Sequence, residues 1–336
     1  MIDEFIKKNL LASFRMAQFN QAFYKDYISS FDELTTWSKR LREELKKAVS
    51  FSTLVAVKKI ESSDHGTQKV LFSRISDDKC FESVLMRHGD GRNTVCVSCM
   101  IGCPVGCLFC ATGKMKFVGN LSAQEIVDQV LHFARLLKKE KQSLSNIVFM
   151  GMGEPLLNLD QVMESIKILN SAEKMGFGIR RITISTSGIT PKIFELMKRG
   201  YKGRLALSLH APLQKLRESI IPIAKKYELL ELVSAVKAFA TRTQLRVSYE
   251  YILISGLNDK PTHAQKLVRL LSKTDPELVH VNLIPYNPVG KAAFIRSSSN
   301  AIHAFADVLT HAGIQNTFRV TMGDDIKAAC GQLAAE

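Results

Sequence analysis

Five of the seven cysteines in this 336-residue chain fall within fifteen residues, and this cluster is the part of the sequence most able to do chemistry. Cys103, Cys107 and Cys110 follow a C-x3-C-x2-C spacing. Three thiolates from one loop can ligate three irons of a cubane cluster and leave the fourth iron open, since the usual full set is four cysteines. Zinc is the alternative, because structural zinc sites recruit four ligands and the segment 96–99 holds two more thiols. Phe109, directly before the third cysteine, and the position of the loop after a predicted strand favour the cluster.

Short polar and glycine-containing segments follow several other predicted strands. In parallel β/α sheets the working residues lie at the carboxyl ends of the strands. We therefore expect His210, which also fits a satisfied core histidine, to line a pocket with its neighbours. The segments are Gly151–Asn158, Ser185–Gly188, Ser208–His210 and Asn287.

The elements that must position these residues alternate between strand and helix. A capping box, Ser122 with Glu125, predicts the start of the first helix. Further helices are predicted over 159–171, 190–199, 228–241, 261–273 and 299–312. Six strand-then-helix units predict an α/β fold with a partial (βα)6 barrel, because a full barrel needs eight. The predicted strands are 94–99, 146–151, 181–186, 204–210, 245–253 and 279–286.

The segments outside this core have different patterns. Residues 1–50 predict an N-terminal helical module for RNA binding or another accessory role, with apolar stripes through Phe19 and Phe23 and through Trp37 and Leu45. Its basic side chains suit RNA phosphates or, more simply, a solvated helix face. Three β-rich runs predict a small antiparallel extension. The predicted domains are 1–50, the extension 51–93, the barrel core 94–314 and a C-terminal tail 315–336.

The charge balance favours a polyanionic partner. Forty-six Lys and Arg against thirty-two Asp and Glu give 46 − 32 = +14, which suits nucleic acid but also a merely basic protein. With 46% hydrophobic and 23% charged residues, a disordered chain is excluded. No apolar run is long enough to span a bilayer, and we expect a cytoplasmic protein without membrane partners, in which disulfide staples are rare.

The cysteine motif with its preceding aromatic residue resembles the signature of radical SAM enzymes. Gly151-Met-Gly-Glu154-Pro155 resembles the segment with which that superfamily binds the SAM amino group. The rest of the chain resembles one family, the RlmN/Cfr RNA methyltransferases, and most of all its RlmN branch. The motifs that carry this resemblance are Phe81-Glu82-Ser83-Val84, Cys96-Val-Ser, Ser185-Thr-Ser-Gly188, Ser208-Leu-His210-Ala-Pro, Asn282-Leu-Ile-Pro-Tyr-Asn287-Pro and Gly323-Asp-Asp-Ile-Lys-Ala-Ala-Cys330-Gly-Gln-Leu.

This resemblance implies a role for each of these residues. The metal ligands are Cys103, Cys107 and Cys110, which hold a [4Fe-4S] cluster, and the catalytic residues are Cys330, Cys96 and Glu82. Cys330 takes a methyl group from a first SAM, and a radical formed from a second SAM activates that group for addition to adenine. Cys96 removes the ring proton and pairs with Cys330 to release the product, while Glu82 is a candidate proton acceptor. The SAM-binding residues are Gly153, Glu154, Ser185, Ser208, Leu209, His210 and Asn287.

Within the family the resemblance favours the branch that methylates adenine C2 in 23S rRNA and in tRNA beside the anticodon. The alternative branch methylates C8 of the rRNA adenosine and confers antibiotic resistance, and Cys110-Ala-Thr-Gly113 is closer to it. An electron donor such as flavodoxin or ferredoxin is implied as a further partner. Two other hypotheses remain from the residues alone: a radical SAM enzyme with a non-RNA substrate, and a metal-stabilised RNA-binding factor without catalysis.

Overall fold

The computed structural model describes residues 2–289 and 294–335, and its central element is one ten-stranded sheet. The predicted extension forms its first part. Strands β1 (Leu54–Glu61), β2 (Thr67–Arg74) and β3 (Cys80–Arg87) make an antiparallel meander. Strand β4 (Asn93–Cys96) pairs antiparallel with β3, in a register that sets Val84 opposite Cys96. The extension is therefore continuous with the sheet of the core.

A two-stranded ribbon and the remaining parallel strands complete the core. The ribbon pairs β5 (Met100–Ile101) with β6 (Gly119–Asn120). From β4 onward the main sheet is parallel and each strand lies beside the next one in the chain, which confirms the predicted partial (βα)6 barrel. Its other strands are β7 (Asn146–Phe149), β8 (Ile182–Thr186), β9 (Arg204–Ser208), β10 (Val247–Leu253) and β11 (Val279–Pro285).

A seventh parallel strand that the sequence did not predict extends this sheet. Strand β12 (Asn316–Phe318) pairs with β11 inside the C-terminal tail. It has only three residues, too few for a recognisable alternation of polar and apolar side chains. Its pairing directs the following residues, from Arg319 on, to the same edge of the sheet as the carboxyl ends of the other strands.

Eleven α-helices occur in the described residues. The predicted capping box is present, because Ser122 Oγ accepts from Glu125 N and Glu125 Oε2 accepts from Ser122 N. The helices are α1 (Ile2–Lys8), α2 (Phe14–Asn20), α3 (Lys39–Ala48), α4 (Ala111–Lys114), α5 (Ala123–Lys139), α6 (Leu159–Asn170), α7 (Thr190–Lys198), α8 (Gln214–Ile220), α9 (Leu229–Thr243), α10 (Pro261–Leu271) and α11 (Ser299–His311). None of those in residues 2–289 and 294–335 combines the length and apolar character needed to cross a bilayer.

The N-terminal helices pack on α5 through an aromatic cluster. The guanidinium of Arg135 lies over the rings of Phe23 and Phe51, 5.2 and 4.9 Å from their centroids. The basic side chains of α3 are engaged within the same module, since Arg40 pairs with Glu44 and Lys46 with Asp32 and Glu43. Exposed pairs of this kind contribute at most about 1 kcal/mol each, so they leave this surface able to exchange partners.

Candidate active site

The cysteine loop closes one end of the barrel. It begins after β5 and returns at β6, so the ribbon fixes both of its ends. Val105 and Phe109 are buried in a small apolar cluster with Ile220 and Ile221, and the three motif cysteines pack against this cluster. Leu108 N donates to Ile220 O at 3.0 Å, which ties the loop to the end of α8. The thiols are thus held in a largely apolar setting.

Burial changes the acidity of the three motif thiols in the same direction. It raises the pKa of Cys103 to about 12 and also raises the pKa values of Cys107 and Cys110. Cys110 and Cys103 add to the increase at Cys107, so the three sulfurs lie within electrostatic range of one another. A bound metal reverses this tendency, because a coordinated thiol is deprotonated.

The chemistry of the donor set fits a metal cluster. Within residues 2–289 and 294–335, no three His, Cys, Asp or Glu side chains come close enough to hold one metal ion. A cubane does not require this, because each of three irons takes one thiolate. The three soft thiol donors of one loop therefore fit an iron–sulfur cluster.

Cys99, a candidate fourth ligand, has a different environment. Its side chain is buried, and its Sγ contacts Met152 O at 3.7 Å as a weak donor. Burial raises the pKa of Cys99 well above its usual value, and Glu154 and Cys103 add to that increase. Cys99 therefore lies beneath the loop that follows β7, next to the motif cysteines.

Gly153 and Glu154 follow β7 and line the same end of the barrel. Gly153 has φ +103°, and a Cβ there would lie 2.6 Å from Met100 Cβ, so only glycine fits. The Glu154 carboxylate is buried and accepts from Ser187 N at 2.7 Å, Ser187 Oγ at 2.8 Å and Leu156 N at 3.0 Å. Burial raises the pKa of Glu154, and the hydrogen bonds from Ser187 oppose that increase. Ser187, which was not among the predicted site residues, therefore orients this carboxylate.

The other predicted cofactor residues differ in what they present to the site. Ser185 and Ser208 are half-buried at the ends of β8 and β9, whereas the Leu209 side chain is fully buried, so only its backbone is available. His210 has a left-handed backbone (φ +59°), and its Nδ1 accepts from Ile252 N at 3.0 Å. The His210 and Phe109 rings pack edge to face, with their centroids 4.8 Å apart. Burial lowers the pKa of His210 to about 3, so His210 is a neutral residue that packs against the cysteine loop.

Arg217 on α8 is a buried cation that sequence reasoning missed. Its side chain is fully buried and donates to Leu209 O at 3.1 Å, to Ser208 O at 3.2 Å and to Ser187 O. Burial lowers the pKa of Arg217 to about 10, while Cys107 and Glu154 oppose that decrease. Its Nη1 has no hydrogen-bond partner among the described residues. A buried guanidinium with a free donor beside Cys107 and Glu154 suits a site for a negatively charged group.

The C-terminal tail crosses the mouth of the barrel over the cysteine loop. Ala111 N donates to Gly331 O at 2.7 Å, and Thr112 Oγ1 donates to Leu333 O at 2.6 Å. Asn287 Nδ2 donates to Cys330 O at 3.2 Å, so this predicted cofactor residue contacts the tail. These contacts bring Cys330, which is exposed, to the site.

Cys96 and Cys330 approach one another near a second arginine that the sequence did not reveal. Burial and, to a smaller extent, Cys330 raise the pKa of the Cys96 thiol, and Arg319 opposes the increase; the net pKa is about 12. Burial lowers the pKa of Arg319, but Cys330, Glu250 and Cys96 reverse that effect, and the net shift is upward. The Arg319 Nη1 atom lies 3.9 Å from Glu250 Oε2 inside the barrel. Both predicted catalytic thiols thus lie within electrostatic range of one guanidinium.

Glu82 is buried on β3 instead of lying on the surface, where a lone strand glutamate is usually found. Its Oε1 lies 2.8 Å from the Nζ atom of Lys69 on β2. Its Oε2 accepts from Ala334 N at 2.8 Å and Ala335 N at 3.1 Å. Glu82 therefore contacts the C-terminal tail after Cys330.

The structure thus brings most of the predicted site residues to one edge of the sheet. The motif cysteines, Cys99 and Glu154 form one group, and Cys96 with Cys330 forms another. The tail connects the two groups, because it carries Cys330 and is bound to the cysteine loop at Ala111 and Thr112. The soft thiol ligands of the loop and the free Nη1 donor of Arg217 fit an iron–sulfur cluster with an anionic ligand.

Comparison with known proteins agrees with this architecture. Residues 97–268 match the family model of the Radical SAM superfamily. A probable dual-specificity RNA methyltransferase RlmN from Thermotoga maritima is 43% identical over 323 residues, which are 96% of this chain and 92% of that protein. Another, RlmN 2 from Protochlamydia amoebophila, is 41% identical over 333 residues, 99% of this chain and 92% of that protein.

A solved structure extends the agreement to three dimensions. The crystal structure of a radical SAM methyltransferase from Sphaerobacter thermophilus superposes with a TM-score of 0.95 at 42% identity, over 100% of this chain and 97% of that one. The match includes the extension and the tail as well as the barrel. The chain therefore belongs to the RlmN family of the radical SAM superfamily.

Proposed function

We propose that this protein is an RNA methyltransferase that methylates C2 of an adenosine in 23S rRNA and of the adenosine beside the anticodon in tRNA. The observation that carries the proposal is the approach of Cys96 and Cys330 at the barrel mouth, beside the cysteine loop. A binding factor without catalysis has no need of two unpaired thiols at this position. The net charge of +14 suits an RNA substrate, and we infer that the protein works in the cytoplasm.

In this proposal Cys103, Cys107 and Cys110 hold a [4Fe-4S] cluster, and the segments after β7, β8 and β9 hold SAM. Gly153, Glu154, Ser185 and Asn287 are the polar or close-approach positions of that pocket; the others are Ser208, Leu209 and His210. Arg217 adds a positive charge beneath it. When bound, the cluster and SAM supply the radical and the methyl group that no side chain provides.

Two thiols of the protein then have separate roles in the reaction. Cys330 accepts the methyl group on its sulfur, which requires a thiolate nucleophile. Cys96 removes the ring proton of the protein–RNA adduct, and its sulfur then bonds to the Cys330 sulfur as the carbon–sulfur bond to the RNA breaks and the freed carbon takes up the proton. A thiol reductant then reduces the resulting disulfide before the next turnover. Two SAM molecules are consumed in each turnover, one as methyl donor and one as radical source, and a flavodoxin or ferredoxin supplies the electron. Glu82 as a proton acceptor stays a prediction.

The test separates the two thiols. Cys96→Ala is expected to accumulate a covalent protein–RNA species, because no thiol is left to resolve it, whereas Cys330→Ala and the double variant form none. A denaturing gel with labelled RNA and the intact mass of the nuclease-treated protein measure this. Normal turnover by Cys96→Ala, or an adduct without Cys330, contradicts the proposal.

The position of methylation needs its own measurement. Mass spectrometry of digested rRNA and tRNA is expected to find 2-methyladenosine that disappears on deletion of the gene. Mainly 8-methyladenosine would move the protein to the resistance branch, and no methylated adenosine in any digest would favour the non-catalytic alternative.

A further inference from the structure

The antiparallel extension forms a polar cradle under the C-terminal tail. Ser63 N, at the turn between β1 and β2, donates to Asp325 Oδ2 at 2.9 Å. Gly323 has φ +68°, and a Cβ there would lie 2.7 Å from Thr67 Cγ2 on β2. The tail backbone therefore lies directly on the extension, which brings β2 and β3 into contact with the segment that carries Cys330.

The centre of this cradle is a buried ion pair. The side chains of Lys69 and Glu82 are 7% and 1% exposed. Lys69 Nζ lies 2.8 Å from Glu82 Oε1. Both partners also bind the tail backbone: Ala334 N and Ala335 N donate to Glu82 Oε2, and Lys69 Nζ donates to Lys327 O at 3.3 Å. Without the tail, the pair would lose these three contacts.

Such a pair is costly to bury, since each ion gives up water and needs both its partner and further hydrogen bonds in return. The tail backbone supplies those hydrogen bonds on either side of Cys330. The tail residues that are bound lie on both sides of Cys330. Lys327, bound by Lys69, is three positions before it, and Ala334, bound by Glu82, is four positions after it. The anchor therefore fixes the position of the Cys330 segment from both of its ends.

We propose that Glu82 and Lys69 are positioning residues that anchor the tail backbone and thereby hold Cys330 at the barrel mouth. The anchor binds main-chain groups, so it recognises the path of the tail rather than its side chains. Small residues beside Cys330, at 328, 329 and 331, allow the segment to leave and return, while the anchor determines where it returns. This inference rests on the proposed function only for the consequence at Cys330.

The experiment removes each side of the anchor separately. Glu82→Gln removes the carboxylate charge with little change in shape, and Ala334→Pro removes one backbone donor while the Lys69–Glu82 pair stays intact. Ala334→Gly keeps that donor and is the matched control. Hydrogen exchange of the peptide spanning residues 328–335 is measured by mass spectrometry on the anaerobically purified protein without RNA, alongside its iron content.

Exchange of the tail peptide is expected to be at least tenfold faster in both Glu82→Gln and Ala334→Pro, as expected for loss of a hydrogen bond to a charged group. The control should exchange within about twofold of the wild type, and all variants should retain their iron. Unchanged exchange in Ala334→Pro overturns the anchor. Faster exchange in Glu82→Gln alone does not rescue it, because Glu82→Gln also leaves Lys69 buried without its charged partner.

A second readout separates anchoring from proton transfer. If Glu82 anchors the tail, Glu82→Gln and Ala334→Pro both lower methylation of Cys330, measured by intact mass, and lower methylated adenosine in parallel. Full Cys330 methylation in Glu82→Gln, with loss of the RNA product and a normal Ala334→Pro, overturns the anchor in favour of a proton acceptor. If the wild type shows no methylated Cys330 at all, the proposed function fails, while the exchange measurement still decides the anchor.

Discussion

Arg319 is expected to control how readily Cys96 becomes a thiolate, and Arg319→Met tests this. Burial and the neighbouring Cys330 raise the pKa of Cys96 and the Arg319 guanidinium opposes that increase, with a net pKa of about 12. A charge within about 4–6 Å shifts a pKa by about 1–3 units. Because the Arg319 side chain is 25% exposed, water screens it partly and we expect the lower end of that range, about one unit.

The assay is alkylation of Cys96 by iodoacetamide between pH 7 and pH 10, followed by peptide mass spectrometry. With a pKa of about 12, the rate is expected to rise about tenfold for each pH unit without a plateau, since only the thiolate reacts. Limited access to the buried thiol lowers all rates by a common factor and leaves this slope unchanged. Arg319→Met should lower the rate about tenfold at every pH.

Cys330→Ala is expected to change the alkylation rate of Cys96 in the opposite direction. Cys330 contributes to the raised pKa of Cys96, so its removal should lower that pKa and Cys96 should react faster than in the wild type. An unchanged or faster rate in Arg319→Met would refute the electrostatic reasoning. So would a plateau near pH 9, which would mean that burial does not perturb the thiol.

Three further predictions concern the loop and the barrel. Anaerobically purified protein should carry about four irons per chain; Cys103→Ala, Cys107→Ala and Cys110→Ala should lose the iron by elemental analysis, and Cys99→Ala should keep it. Because burial lowers the pKa of His210 to about 3, the unfolded state binds the proton first as pH falls below about 6.5; His210 alone should lower the free energy of unfolding by about 2 kcal/mol at pH 5, so the drop measured in urea titrations should be about 2 kcal/mol smaller in His210→Leu. Arg217→Met removes the guanidinium donors of Ser187 O and Ser208 O, whereas Leu209 O keeps Ala211 N as a donor. Two unpaired carbonyl groups at about 2 kcal/mol each, set against a relieved charge burial of about 3 kcal/mol from the Arg217 pKa of about 10, should lower the free energy of unfolding by about 1 kcal/mol, and a fall of more than about 3 kcal/mol would contradict that balance.

The sequence predicted the six barrel strands because each is a short apolar run bounded by turn residues. It also predicted the start of α5, since Ser122 and Glu125 carry a capping box in local sequence. The order of the strands then placed the motif loops at one edge without any further information. Local pattern and the rule for parallel sheets were sufficient for this part.

The parts that were missed depend on contacts between distant residues. Helix α8 has only seven residues, and its one buried cation, Arg217, looks like any surface arginine in the sequence. Arg319 and Glu250 meet inside the barrel only after β12 has paired with β11. In the N-terminal module, Trp37 is buried as expected but precedes α3, while Phe14 is 54% exposed. Neither pairing nor the end of a helix is encoded in periodicity alone.

The contact between Glu82 and the tail also has a consequence during protein synthesis. Ala334 follows Glu82 by 252 positions. At about 5–20 residues per second, a ribosome needs about 10–50 s to make that stretch. For that time the nascent sheet carries a charged pair without its backbone partners from the tail, so the extension is expected to become fully stable only after translation has passed Cys330. A chain cut short by a premature stop would thus lose both the thiol and the support that its own tail gives to β2 and β3.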